Sequence, residues 1–480
     1  MRTGQRVRAR RRIGATSAAL ALLLLAACTG GPDDGSDSSA PGAEDEIVVA
    51  SGLDVTGEND IRRRLVEAWN DRQGDSEPKA RIVELPDSAR EQRSQILGAL
   101  QSGSSRYDVV NLDVTLVPEF AETGLIMPLD DTAVAEPADL IPSVDATAKW
   151  RGRRYAVPFN SDVGLLYYRR DFLAAAQAQI TDPSGEVTWA HLRDVITHLG
   201  QNKPPGYEAG WTTQLDGEGR TVNTIEAFAS AVDGLELTDE RGRYTGSEQD
   251  LETGVAELRR RTSSAYTLSD AYDSEEQDTQ SHFEAGRTAF LRHWPSAYGP
   301  LHRKFSERQL GVVALPGKAV LGGQNLAVTS SSPHAREAAD LIRFLTDPDS
   351  QRCLLDAGFA ATRESAYRDD RLVCGHVDAR DTAASASPSA GPSSASPSGE
   401  STDRTPRDEA GRPRYAQDVL LPALRNGVER PRTPLYGPFN QILTDTLRTL
   451  FEDEPQSGEE PSDVELASRL DAKLREAMSG

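Results

Sequence analysis

"YAVPFNSDVGLLYYRRDFL", residues 155–173, decides the fold. Pro158 holds the residue before it in extended backbone. The polar Asn160-Ser161-Asp162 follows, and "VGLLYYRR" then resumes as an apolar strand. Such a stretch reads as the crossover where a chain leaves one lobe and enters another. With 480 residues the chain is too long for one hydrophobic core, so two lobes are expected.

Upstream of the crossover, strands and helices alternate. "EIVVAS" (46–51), "ARIVELP" (80–86) and "YDVVNLD" (107–113) read as strands. Between the first two, Ile61, Leu65 and Trp69 recur at four-residue spacing on one helical face. "REQRSQILGALQSG" (90–103) is a second helix closed by glycine. This alternation predicts an α/β fold, a parallel sheet flanked by helices. Ligands of such sheets sit beyond the carboxyl ends of the strands. Those ends are "SGLDVTG" (51–57) and "NLDVT" (111–115), which makes Asp54, Thr56 and Asp113 candidates; Asp is also a common helix cap.

Downstream, helical stretches dominate to about residue 286. "GRTAFLRHW" (286–294), "GVVALPG" (311–317) and "QNLAVTS" (324–330) then return as strands. "SPHAREAADLIRFLTD" (332–347) is an amphipathic helix with Ser332 as its cap and Pro333 at its first position. "PDSQRCLLDAG" (348–358) is another, ended by Gly358. From Asp381 to about Pro406 the chain is almost all Ser, Ala, Pro and Gly, too polar to fold. A disordered insertion is expected over residues 378–412.

The N-terminus addresses the compartment. Six arginines and no acid lie in residues 1–12, followed by "AALALLLLAA" (18–27). That run is too short to span a bilayer and reads as a signal peptide over residues 1–27. "LAAC" (25–28) resembles the bacterial lipobox, which would make Cys28 the lipidated first residue, on an acidic flexible tether over 28–45. The alternative is a plain secretory signal with a chance cysteine. Loss of the signal takes the net charge from −22 to −28 and argues against nucleic acid or an anionic membrane surface as partner. Two cysteines remain, Cys353 and Cys374, which an oxidising compartment would pair; the alternative is two free thiols. No CxxC, HExxH, nucleophile elbow or phosphate loop is present, and the seven histidines lack metal spacing. Neither an enzyme, a metal nor a cofactor is expected.

The lipobox, "VPFNSDVGLLYYRRDFL", "FEAGRTAFLRHWPSAYGPL", "VALPG", "GGQNLAVTSSSPHAREAADLIRFLTDPDSQ" and "DAGFAATRESAY" occur in one order. Together they resemble the family 1 extracellular solute-binding proteins, the carbohydrate receptors of ABC importers, with most likeness to the maltose and trehalose branch. The resemblance implies a two-lobed Venus-flytrap with a hinge and an interlobe cleft. Residues 46–158 plus 318–365 would form one lobe, and 159–317 plus 415–480 the other. A sugar would bind in the cleft, and closure would present it to the permease subunits. A monomer is expected.

The resemblance also implies site residues. Trp294 would lie at the cleft and stack on a sugar ring, with Tyr298 one helical turn on. On the residues alone a core tryptophan is the ordinary expectation, but Arg292, His293, Pro295 and Ser296 are poor core neighbours. Gly322 and Gly323 permit close backbone approach, and Gln324 and Asn325 carry amides suited to hydroxyls. Asn160 and Asp162 reach a ligand or merely shape the hinge. Arg363 matches a recurrent arginine of the family and would serve the ligand, or else a salt bridge at the surface or between lobes. Two rival functions remain: a solute-sensing lipoprotein without transport, and a binder of a non-sugar solute such as a polyamine.

Overall fold

The computed structural model describes residues 46–52, 60–86, 88–103, 105–377, 404–452 and 460–478. The signal peptide, Cys28, the tether, Asp54, Thr56 and residues 378–403 lie outside them. In chain order the strands are β1 (Glu46–Gly52), β2 (Lys79–Leu85), β3 (Val109–Asp113), β4 (Lys149–Trp150), β5 (Arg153–Arg154) and β6 (Val157–Val163). They continue with β7 (Leu165–Arg169), β8 (Ala209–Thr212), β9 (Thr288–His293), β10 (Leu310–Ala314) and β11 (Leu321–Val328).

Two sheets organise two lobes. The first has the order β2-β1-β3-β11-β6, with β1 parallel to both neighbours and β11 antiparallel to β3 and β6. Strand β1 has no polar face because both sides are covered. Ile47 and Val49 pack with Ile61, Leu65 and Trp69 on one side, and Val48 and Ala50 pack with Ile96, Leu100 and Phe120 on the other. Each of these large side chains contributes roughly 1.5–3 kcal/mol by leaving water. The second sheet has the order β10-β7-β9-β8.

The crossover differs in detail from its sequence reading. Asn160-Ser161-Asp162 does not break the strand; β6 runs through it to Val163 and stays in the first sheet. Pro158 is accommodated because β6 is an edge strand, where a missing N–H is tolerated. The chain therefore leaves the first sheet at Gly164, beyond residue 158. Three segments cross together at this point. Gly164 N–H donates to Val320 O (3.3 Å), Leu321 N–H to Val428 O (2.8 Å), and Val428 N–H to Ala319 O (2.9 Å).

Two further expectations change. The helix after β11 begins at Ala335, not Pro333. Ser332 Oγ accepts from His334 N–H and donates to Asp108, so it closes a turn instead of capping the helix. Residues 404–412, expected to be disordered, are held in place. Asp408 accepts from the N–H groups of Ala410 and Arg412, and Arg352 donates to Leu372 O and to Ala410 O. The charged "RTPRDEAGRPR" (404–414) supplies these partners. Cys353 and Cys374 form a disulfide with Cα atoms 4.5 Å apart, joining the strap before residue 378 to the helix Pro348–Asp356.

Candidate functional site

The ends of β1, β3 and β6 and the start of β11 meet the end of β9 across a cleft. On the first lobe's side the wall is a polar mesh centred on Arg62, buried at the start of the helix Ile61–Asn70. Arg62 Nη2 donates to Asn160 Oδ1 and Gln324 Oε1, both at 2.9 Å, and Nη1 to Gly52 O at 3.2 Å. Asn111 Nδ2 donates to Gln324 Oε1 (2.7 Å) and Ser51 Oγ (3.0 Å). Because the amide oxygens face Arg62, the Nδ2 of Asn160 and the Nε2 of Gln324 are turned away from it. Among the described residues neither has an acceptor.

Asp162 stands on the same face of β6 as Asn160. It is half-buried, and among the described residues no donor meets its carboxylate. Burial first, then the charge of Glu276, pushes its pKa up to about 7, against the pull of Arg62.

The opposite wall is built around Trp294, directly after β9. Its indole N–H donates to Glu276 Oε1 (2.6 Å) and its backbone N–H to His293 Nδ1 (2.9 Å). Tyr167 donates its hydroxyl to Trp294 O at 3.0 Å. The Arg292 guanidinium lies 3.8 Å from the ring centroid, a cation–π brace. The ring edge reaches the first lobe at Gly322, where a Cβ would lie 3.6 Å from Cζ3 and Cη2 of Trp294 and 3.2 Å from Cβ of Asp162.

An ionic bridge spans the cleft. Arg430, buried just past the third crossing, donates through Nη2 to both oxygens of Asp113 (3.0 and 3.1 Å). Its Nη1 donates to Glu218 Oε1 at 2.9 Å, in the first turn of the helix Glu218–Ala231. Tyr436 and Asn440 donate to the same carboxylate. Asp113 also accepts from Thr115 N–H at 2.8 Å, so it caps the turn after β3 as well as facing the cleft.

This arrangement can hold a neutral or cationic small molecule between an aromatic face and a set of amide donors and carboxylates. Among the described residues no group of three metal-ligating side chains occurs. A sequence profile of the bacterial extracellular solute-binding proteins matches residues 70–373, more than half of the chain. The chain is a bacterial extracellular solute-binding protein. The family consists of receptors, not enzymes. A probable ABC transporter-binding protein of Deinococcus radiodurans is 27% identical over 323 residues, covering 65% of this chain and 74% of the relative. Among solved structures, maltose-bound MalE3 of T. maritima is similar with a TM-score of 0.66 at 24% identity, covering 90% of this chain and 99% of that one. UgpB of Mycobacterium tuberculosis, in complex with glycerophosphocholine, has a TM-score of 0.65 at 18% identity, covering 90% and 98%. These likenesses show the two-lobed α/β binding-protein fold. No helix among the described residues is long and apolar enough to cross a membrane.

The cleft of this solute-binding protein gathers Trp294, Asp162, Asn160, Gln324 and Asp113 from the residues singled out in the sequence. Three others it does not gather. Tyr298 is 5% exposed and stacks on Tyr415 at 4.0 Å beneath the crossings, so it belongs to the core. Asn325 is buried inside the first lobe, donating to Thr147 Oγ1 at 3.2 Å, because the residue after Gln324 points to the other face of the sheet. Arg363 is fully buried; its guanidinium donates to the carbonyls of Thr346, Glu136 and Ala135 and pairs with Asp139 at 3.6 Å inside the first lobe. It locks the first lobe and bridges no lobes. Gly323 has a structural reason of its own: at φ +102° a Cβ would lie 2.4 Å from Asn160 O, beside the irregular register between β11 and β6.

Sequence reasoning missed Arg62, Asn111, Glu218, Glu276 and Arg430. Glu218 and Glu276 sit in first turns of helices, where acids are ordinary. Only Arg430, in the proline-flanked "ERPRTP" (429–434), carries a local hint that its backbone is held rigid.

Proposed function

We propose that this receptor captures a sugar, a di- or oligosaccharide, in the cleft, delivers it to the permease subunits of an ABC importer, and hangs from the outer face of the membrane by a lipid on Cys28. The observation that carries the reading is Trp294. Its ring is braced by Arg292 and its edge is pinned by Glu276, and amide donors and an unpaired carboxylate stand nearby. A pyranose presents an apolar face of C–H groups and a belt of hydroxyls. A fixed aromatic plane buries the face at little entropic cost while polar side chains take the hydroxyls. The maltose held by the T. maritima protein agrees with this reading. The remaining site residues are Asp162, Asn160, Gln324 and the Asp113–Arg430 bridge.

One observation favours a second reading, a cationic solute. Asp162 and Glu276 lie beside Trp294, and among the described residues neither is paired with a cation. A quaternary ammonium or polyamine would use the indole face and both carboxylates.

A thermal-shift screen of the protein against maltodextrins, trehalose, polyamines and choline esters separates the two. A solute at a hundred times its dissociation constant adds about 2.7 kcal/mol of stability. A sugar hit that is lost in Trp294→Ala, with the unliganded melting temperature held, supports the sugar reading. A hit confined to cations and lost in Asp162→Asn replaces it. Cys28→Ala is expected to release the protein into the medium; retention on the cell would sink the lipid anchor.

A further inference from the structure

Beneath the cleft lies a buried ion pair that the site itself does not require. Arg292 donates from Nη2 to Glu226 Oε1 (2.6 Å) and from Nε to Oε2 (3.2 Å), and the two side chains are 1% and 2% exposed. Burying two charges is expensive. A pair of this kind generally stabilises a fold no better than apolar residues of the same volume, so its place in the molecule is what needs a reason.

That place is between the hinge and the aromatic platform. Glu226 Oε1 also accepts the N–H of Val320 (3.1 Å), on the crossing that leads into β11. The crossing between β6 and β7 lies against the same pair: a Cβ on Gly164 would stand 2.4 Å from Glu226 Oε1 and 2.9 Å from Arg292 Nη2. On its other side the Arg292 guanidinium lies 3.8 Å from the Trp294 ring centroid. Gln214 holds the remaining edge, accepting from Arg292 Nη1 (3.4 Å) and donating to Arg292 O (3.1 Å). Two of the three crossings thus touch one end of a rigid salt bridge, and the ring that faces the solute touches the other.

We propose that the Glu226–Arg292 pair is a positioning device that couples the hinge to Trp294, so that rotation at Gly164 and Val320 is transmitted to the angle of the indole ring. Opening the lobes alters the dihedral angles at the crossings and displaces Glu226. The bidentate bridge carries Arg292 with it, and the ring follows the guanidinium that stacks on it. In return, a solute pressed on the ring biases the hinge, because linkage between two sites is reciprocal. The inference rests on Trp294 being the solute platform; the mechanical link itself is measurable without any solute.

The test is a double-mutant cycle on the full chain, read by acrylamide quenching of Trp294. The signal of that one indole is isolated by subtracting the matched Trp294→Phe protein. Gly164→Ala drives a methyl group from the crossing onto Glu226 Oε1 and Arg292 Nη2, and the expected result is at least a two-fold change in quenching of Trp294. In the Glu226→Gln/Arg292→Met background, which removes both charges together, that response is expected to vanish, since coupled residues are non-additive. Arg292→Lys keeps the charge but loses the planar stack and the fork; it serves if the double variant does not fold, and is expected to raise Trp294 quenching by itself. The proposal is overturned if Gly164→Ala leaves Trp294 unchanged, or changes it equally with and without the pair. Maltose titrations address the underlying reading separately. If Trp294→Ala binds maltose as the wild type does, the platform assignment fails, whatever the quenching cycle shows. If Trp294→Ala loses maltose while the double variant binds it within two-fold, the platform stands and the coupling falls. A loss of ten-fold or more in the double variant supports both.

Discussion

Asp113 and Asp162 end two strands of one sheet, with only β11 between them, and both face the cleft. Arg430 takes both oxygens of Asp113 and ties them to Glu218 on the opposite lobe. Among the described residues no cation lies within hydrogen-bond reach of Asp162; burial and Glu276 push it up to about 7. One carboxylate is thereby spent on joining the two lobes, and the other has no cationic partner among the described residues. Identical chemistry at equivalent strand ends acquires opposite roles from partners that come from elsewhere in the chain.

Arg430→Ala leaves two carboxylates across the cleft without their shared cation. Because Asp113 and Glu218 are only partly buried, a loss of about 2–4 kcal/mol is expected, read as a lowered urea midpoint with unchanged slope. A loss below about 0.5 kcal/mol would mean that water already screens the bridge. Asp113→Asn removes one arm and one turn cap while Arg430 keeps Glu218, and should cost about 1–2 kcal/mol in the same assay.

At Asp162 the sign reverses. Its folded pKa is raised, so between the usual carboxylate range and about 7 the native state binds more protons than the unfolded one. Stability from this group is full at low pH and falls as pH rises through that window. Asp162→Asn is therefore expected to raise stability by about 1–2 kcal/mol at pH 8, discounted for its partial exposure, with the gain gone by about pH 4. Equal melting temperatures of variant and wild type across that range would refute it. The smallest effect belongs to Glu276→Gln, which removes the second cause of the shift. The Asp162 carboxyl resonance should then titrate below about 7 by a fraction of a unit.

Much of this was legible locally. The alternating strands and helices of residues 46–113 appear where their periodicity places them, since burial on one or both faces leaves its mark on neighbouring residues. Trp294 was pointed to the cleft by the family resemblance; its flanks, expected to be poor core neighbours, are themselves buried at Arg292, His293 and Pro295. Tyr298 misled for a related reason: one helical turn from a cleft residue, it follows the curve of the helix Tyr298–Lys304 into the core and meets Tyr415. Arg363 misled because a motif arginine and a carbonyl-binding core arginine look alike in one dimension.

By itself the sequence determined the α/β class, the neighbourhood of the crossover and the expectation of the cysteine pair. Each of these depends on patterns spanning a few residues or on composition. Tertiary structure alone decided which charged groups are spent and which are open. Arg62 meets Asn160 and Gln324 across 98 and 262 residues, and Arg430 meets Asp113 across 317. The reason is physical: side-chain periodicity follows from backbone geometry and is written locally, whereas the state of a carboxylate is set by whatever charge the fold brings within a few ångströms, and chain separation carries no information about that.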